Sequence, residues 1–122
     1  MVGMSYKKSC IYRLAYRLAV ETEDVCRSFP AYERYSLAQQ LRNSSRSVVA
    51  NYVEGYIRQG RLPLDHRRFL IYSQGSCDES KYWIEFGRDI GLVENRVCRE
   101  LLSGYGRVSI ALVALIRKTD SR

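Results

Sequence analysis

The chain has 122 residues, of which 46% are hydrophobic and 27% charged, with a formal net charge of +7 and a pI near 9.4. This length suits one domain spanning residues 1–122, with a core of its own. No apolar run approaches the roughly 20 residues that a membrane span needs, and the opening MVGMSYKKSC lacks the apolar core of a signal peptide. We therefore expect a cytoplasmic protein that does not contact a membrane.

Apolar spacing predicts helices throughout and no strand. The first helix is predicted over residues 5–28, where apolar residues form a single stripe, and Pro30 follows as a turn signal. The second is predicted over residues 32–59, and Gly60 is a suitable C-terminal stop.

The third helix is predicted over residues 63–91, with Pro63 at its start, and the fourth over residues 94–118. Short connections between long helices make sequential neighbours antiparallel. The sequence therefore predicts an all-α fold, an up-down-up-down four-helix bundle.

The segment IALVALI, residues 110–116, is apolar on all sides of the fourth helix. A bundle helix usually shows one apolar stripe, so an apolar surface all round favours burial on a second side. We interpret this segment, together with the ten tyrosines, as a sign of a homo-oligomer. A fourth helix central to the core of a single chain is the alternative.

The second and third helices each hold small residues near their middle. Gly55 lies inside the second helix, where glycine costs about 1 kcal/mol relative to alanine, and SQGSCDES lies inside the third. We interpret both as a structural contact between closely approaching helices, in which Asn51 bonds to the neighbouring helix. The residues assigned to this contact are Ser47, Asn51, Glu54, Gly55, Gly75, Ser76 and Glu79.

The sequence gives less support to a catalytic, phosphate-binding or metal site than to this structural contact. A polar pocket for acid–base catalysis would need carboxylates such as Glu54 and Glu79 to converge. Phosphate-binding glycine motifs are absent, and His66 is the single histidine. The four cysteines are scattered and form no CxxC pair, so no metal site is indicated. We expect no catalytic residues, no metal and no cofactor.

Two ordered blocks, FPAYERYSLAQQLRNSSRSVVANYVEG and RRFLIYSQGSCDES, carry a family resemblance. They resemble a bacterial four-helix-bundle family that includes proteins encoded within intervening sequences of large-subunit ribosomal RNA genes. The matching residues are Phe29, Pro30, Glu33, Leu37, Gln40, Arg42, Ser47, Asn51, Glu54, Gly55, Phe69, Leu70, Gly75, Ser76 and Glu79.

The resemblance implies a bundle that assembles into a homopentameric ring and has no catalytic activity. It extends to the accessory variability proteins of diversity-generating retroelements, which are basic, pentameric and assist a reverse transcriptase and its RNA template. Their usual Gly-Trp signature is absent from SGYGRVSIALV, where Tyr105 stands.

Basic residues cluster in two segments of the sequence, and such clusters favour polyanionic partners. One cluster lies in the N-terminal part of the chain, within the first predicted helix, and the other surrounds the turn between the second and third helices. The predicted nucleic-acid-binding residues are Lys7, Lys8, Arg13, Arg17, Arg58, Arg61, Arg67 and Arg68.

The sequence thus favours a non-catalytic oligomeric scaffold that binds RNA or an RNA/DNA hybrid, with a reverse transcriptase as one candidate partner. An intervening-sequence-type scaffold that binds only protein is the alternative. A third reading is an enzyme centred on Glu54 and Glu79.

Overall fold

The computed structural model describes residues 5–120, which form four α-helices, two short 3-10 turns and no strand. The all-α class predicted from the sequence is confirmed. The elements in chain order are the 3-10 turn Tyr6–Lys8, α1 (Cys10–Arg27), the 3-10 turn Ala31–Glu33, α2 (Leu37–Ile57), α3 (Pro63–Asp89) and α4 (Asn95–Asp120).

Each helix packs against the next one in the chain, and α1 also packs against α4. The four helices thereby close into a bundle with up-down-up-down order around a common core. The largest fully buried side chains in that core are Tyr105, Leu41, Leu70, Ile84 and Leu112. None of the helices found within residues 5–120 is long and apolar enough to span a bilayer.

The first helix begins later than the predicted residue 5. Ser9 Oγ accepts a hydrogen bond from the Tyr12 amide at 3.3 Å, which caps α1 at its N-terminus. Ser5 caps the preceding 3-10 turn in the same way, because its Oγ accepts from the Lys7 amide at 3.1 Å. Two successive serine caps therefore divide the predicted helix into a 3-10 turn and α1.

The second helix also begins later than predicted, at Leu37 rather than residue 32. Ser36 has non-helical dihedral angles, with φ −126° and ψ −104°. Glu33, which lies in the preceding 3-10 turn, accepts a hydrogen bond from the Leu37 amide at 3.1 Å. This carboxylate satisfies one of the unpaired amides of the first helical turn and fixes the start of α2.

Glycines end the two central helices. Gly60 and Gly91 follow α2 and α3 with φ of 80° and 83°, a left-handed conformation that costs glycine little. The helices stop at Ile57 and Asp89, two residues before the predicted ends.

The apolar stretch of α4 lies in two environments. Leu112 is fully buried in the core, whereas Ile110 is 73% exposed. Nearby, α4 approaches α1 so closely that a Cβ built on Gly104 would lie 2.6 Å from Leu18 Cδ2. The stretch therefore supplies part of the core of one chain and also leaves a large apolar side chain at the surface.

Candidate nucleic-acid interface

The antiparallel order of the helices brings the two predicted basic clusters to one end of the bundle. The ring of Tyr6, in the first 3-10 turn, lies 6.5 Å from the ring of Tyr56 near the end of α2. Arg67, at the start of α3, pairs with Asp120 at the end of α4 at 2.7 Å. We call this region the basic end, and its positively charged residues are Lys7, Lys8, Arg58, Arg61, Arg67, Arg68, Arg117 and Lys118.

Part of this positive charge is paired with carboxylates. The pairs are Arg58–Glu54 at 2.6 Å, Arg67–Asp120 at 2.7 Å and Arg68–Asp65 at 2.7 Å. Lys7 and Arg61 are exposed and form no ion pair with another residue of 5–120. Ion pairs at a surface contribute little to stability, so a phosphate group can replace the carboxylate partners at modest cost.

Arg13 and Arg17 lie farther along α1, one and two turns beyond its start at the basic end. Arg17 and Glu21 form an exposed ion pair at 3.8 Å. The Arg13 guanidinium lies 3.9 Å from Cys10 Sγ. The first cluster therefore continues from the basic end up the side of the bundle.

A cavity of about 270 Å³ opens at the basic end, between the first 3-10 turn and helices α2, α3 and α4. Its lining includes His66, which is only 5% exposed. Ser9 and Tyr52 also line the cavity; their hydroxyls lie 2.6 Å apart, and burial raises the pKa of the Tyr52 phenol. The lining residues are Lys8, Ser9, Tyr52, Tyr56, Gln59, His66, Leu70 and Leu115.

Of the residues assigned to a close helix contact, Gly55 lies directly against α3. A Cβ built there would lie 3.3 Å from the carbonyl oxygen of His66 and 3.4 Å from Phe69 Cβ. Gly75 is exposed, and a Cβ built on it would have no neighbour within 4 Å. Gly75 therefore takes no part in a helix contact within residues 5–120.

The polar residues assigned to that contact are held mostly within their own helices. Glu54 pairs with Arg58, and Glu79 accepts a hydrogen bond from Trp83 Nε1 at 3.1 Å. Asn51 is half-buried and its side chain makes no hydrogen bond to another described residue, so the predicted bond to the neighbouring helix is absent. Ser47 and Ser76 are likewise half-buried.

The polar contact between α2 and α3 uses other residues. Ser73 Oγ donates to the Val48 carbonyl at 2.6 Å, and Ser80 Oγ lies 2.9 Å from Ser44 Oγ. All three serines are buried. Sequence reasoning included Ser73 and Ser80 among the small residues of the third helix but missed Ser44, because its partner depends on the register of the two helices.

Burial makes two of the four cysteines poor nucleophiles. All four are free thiols, and Cys26, Cys77 and Cys98 are buried while Cys10 is exposed. Burial raises the pKa of Cys26 to about 11 and that of Cys77 to about 12. These two thiols remain protonated near neutral pH and are weak nucleophiles. Across residues 5–120, no group of three or more side chains converges as a metal site.

A carboxylate at the other end of the bundle organises three arginines. Glu23 lies 2.9 Å from Arg42, 3.1 Å from Arg46 and 3.2 Å from Arg27. The hydrogen bond from Arg42 is the largest influence that lowers the pKa of Glu23. This cluster joins α1 to α2, and no sequence motif indicated it.

Fold and charge together define a small, basic, all-helical bundle protein. Residues 7–114 match the family model described as 23S rRNA-intervening sequence protein. The chain belongs to this family, which confirms the resemblance drawn from its two sequence blocks.

A solved structure from Bacteroides thetaiotaomicron is similar in fold. It is described as a protein with unknown function from the S23 ribosomal protein family. The match has a TM-score of 0.79 at 17% sequence identity and covers 88% of this chain and 95% of that one. A search of curated proteins finds no match.

Proposed function

We propose that the protein is a non-catalytic scaffold that binds nucleic acid, RNA or an RNA/DNA hybrid, through its basic end. The observation that carries this proposal is the meeting of two basic segments that are remote in sequence. Lys7 and Arg61 are exposed there without a carboxylate partner in the described chain. Such a surface attracts phosphates through long-range electrostatics and the release of counterions.

The proposal includes assembly into a homopentameric ring, which would repeat the basic end around an axis and add the fields of the copies. Exposed apolar side chains on two adjacent helices support an interface between copies. Ile110 of α4 is 73% exposed, and Tyr16 and Val20 of α1 are 53% and 47% exposed. Covering such side chains with a second chain removes apolar surface from water and so stabilises the assembly.

A reverse transcriptase is one partner for such a scaffold, since the resemblance extends to the accessory variability proteins of retroelements. The second candidate function is a scaffold that binds only protein. An aromatic cluster on α3 favours it: the rings of Tyr82 and Trp83 lie 4.7 Å apart, and Trp83 lies 6.0 Å from Phe86. Tyr82 and Phe86 are exposed while Trp83 is half-buried, and exposed aromatic side chains are enriched in protein interfaces.

Fluorescence anisotropy with labelled single-stranded RNA and DNA tests the nucleic-acid proposal. The test variant is Lys7→Glu with Arg61→Glu, at the basic end. The control is Arg34→Glu with Arg99→Glu, because both arginines are exposed at the opposite end and form no ion pair within residues 5–120. Both double variants change the net charge equally.

We expect the Lys7 and Arg61 variant to bind more weakly than the parent, and the control to be affected far less. Each phosphate that the protein neutralises adds about −0.7 to the log–log salt slope for single strands. The slope should therefore become shallower by about that amount for each phosphate that the variant no longer neutralises. Equal effects in the two variants would contradict a site at the basic end. Absence of binding even at low salt would leave the protein scaffold as the function.

A further inference from the structure

We propose that the cavity at the basic end holds one unpaired nucleobase of the bound strand, with His66 Nε2 accepting a hydrogen bond from that base. This inference rests on the proposed nucleic-acid binding. It adds recognition of a base, which the positive charge of the basic end alone does not supply. Its basis is a buried histidine with one polar atom left unbonded, which lines a cavity of about 270 Å³.

The tautomer of His66 follows from its single hydrogen bond. Nδ1 lies 2.8 Å from the carbonyl oxygen of Gly55, and a carbonyl oxygen can only accept. Nδ1 therefore carries a proton, and in the neutral form of the ring Nε2 is an acceptor. Nε2 has no hydrogen-bond partner within residues 5–120. His66 is only 5% exposed. Even so, none of the fully enclosed side-chain polar atoms in these residues lacks a hydrogen bond. Nε2 is therefore not fully enclosed, and because His66 lines the cavity, we place Nε2 at that space.

The walls of the cavity fit a flat ring attached to a phosphate. The rings of Tyr52 and Tyr56 lie 6.1 Å apart, and Leu70 and Leu115 supply apolar surface. Lys8 is exposed at the rim, where its ammonium can contact the phosphate of the same nucleotide. The volume lies just under the range of about 300–1,000 Å³ for drug-sized ligands, which suits a single base.

Nucleobases supply the hydrogen-bond donor that Nε2 requires. Each base carries an N–H group on its Watson–Crick edge, and that edge is available only when the base is unpaired. In a duplex the same donor is already paired and stacked inside the helix. The cavity should therefore favour single strands over duplexes with the same number of phosphates, which the charge of the basic end alone would not do.

The test compares two labelled oligonucleotides of equal length, one carrying bases and one abasic throughout. Both present the same phosphates, so only the base-carrying strand reports on the cavity. Stacking and one hydrogen bond should make the unmodified protein bind the base-carrying strand about tenfold more tightly.

Two variants remove the pocket in different ways. His66→Asn keeps an amide donor for the Gly55 carbonyl but removes the Nε2 acceptor, and Leu115→Phe fills the cavity from α4. The matched control is Ile116→Phe, because Ile116 is a neighbouring half-buried residue of α4 that does not line the cavity. Thermal melting establishes that each variant is folded.

We expect both pocket variants to bind the base-carrying strand as weakly as the abasic strand, and the control to keep the difference. Equal binding of the two strands by the unmodified protein would overturn the pocket while leaving phosphate binding intact. Binding of neither strand would overturn the pocket and the proposed function together. If His66→Asn does not fold, the result for Leu115→Phe tests the proposal alone. An undiminished preference of that variant for the base-carrying strand over the abasic strand overturns the proposal.

Discussion

The hydroxyl of Tyr105 lies 2.7 Å from Thr22 Oγ1 and thereby joins α4 to α1 in the centre of the bundle. Both residues are fully buried, at 0% exposure. Burial is the main influence that raises the pKa of the Tyr105 phenol, so the hydroxyl stays protonated. The Leu18 carbonyl, 3.4 Å away, is its other neighbour. A buried polar pair of this kind orients two helices, because each hydroxyl depends on the other.

Removal of either hydroxyl should therefore destabilise the protein. Tyr105→Phe should lower the free energy of unfolding by about 1–3 kcal/mol, because it removes the tyrosine partner of the buried Thr22 hydroxyl. Thr22→Val should cost less, because the Tyr105 hydroxyl can still donate to the Leu18 carbonyl. The double variant should lose less than the sum of the single losses. Urea denaturation of the four proteins measures this, and strictly additive losses would contradict coupling between the two residues.

Gly55 and Gly75 form a matched pair for testing the contact between α2 and α3. Gly75→Ala should stabilise the protein by up to about 1 kcal/mol, since alanine favours helix and a Cβ meets nothing there. Gly55→Ala should gain less, because its Cβ would lie 3.3 Å from the His66 carbonyl oxygen. Gly55→Leu should cost about 1–3 kcal/mol through overpacking. A melting temperature of Gly55→Leu at or above that of the parent would refute the close contact.

The two environments of α4 predict different outcomes for two substitutions by glutamate. Leu112→Glu should unfold the chain, because Leu112 is fully buried and the carboxylate would have no partner there. Ile110→Glu should leave the helical spectrum unchanged, because Ile110 is 73% exposed.

Light scattering at micromolar concentration measures the assembly directly. We expect a mass near five chains for the unmodified protein and a smaller mass for Ile110→Glu. A monomeric mass for the unmodified protein would rule out the ring. An unchanged pentamer in Ile110→Glu would place the interface elsewhere than on this face of α4.

The arginines around Glu23 predict a dependence of stability on pH. The hydrogen bond from Arg42 holds the pKa of Glu23 below its ordinary value, so this carboxylate binds protons less readily in the folded chain than in the unfolded chain. Its contribution should be fully present above the unfolded pKa of about 4.3 and lost as the pH falls through the lower folded pKa.

Glu23→Gln should therefore be less stable than the parent at pH 7, and the difference should shrink toward pH 3. Asp24→Asn is the control on the same helical turn, because Asp24 is exposed and forms no ion pair with another described residue. Thermal melting across this pH range provides the measurement. A difference between Glu23→Gln and the parent that does not change with pH would show that the carboxylate charge is not responsible.

The number and order of the helices could be predicted from the sequence because apolar periodicity and turn residues are local signals. The convergence at the basic end also follows from connectivity: in an up-down-up-down bundle, the start of α1, the α2–α3 turn and the end of α4 lie at one end. The starts of α1 and α2 were harder to predict from the sequence, because a serine cap fixes the first and the Glu33 side chain fixes the second.

Contacts that depend on the register of neighbouring helices could not be predicted from a single sequence. Serine in a helix gives no indication of its partner, so the approach of Ser80 to Ser44 required the relative positions of α2 and α3. The cavity beside His66 likewise requires residues from four elements to meet. Asn51 was wrongly expected to bond across helices: it is half-buried, and its side-chain amide has no partner in the described chain.

The distribution of the cysteines makes the protein suitable for site-selective labelling. Cys10 is exposed at the start of α1, next to the basic end, whereas Cys26, Cys77 and Cys98 are buried. A thiol-reactive fluorophore should therefore attach to one position in the folded chain and to four after denaturation. A dye at Cys10 would report on a strand arriving at the basic end without any engineered cysteine, and in a ring it would mark every copy at the same place.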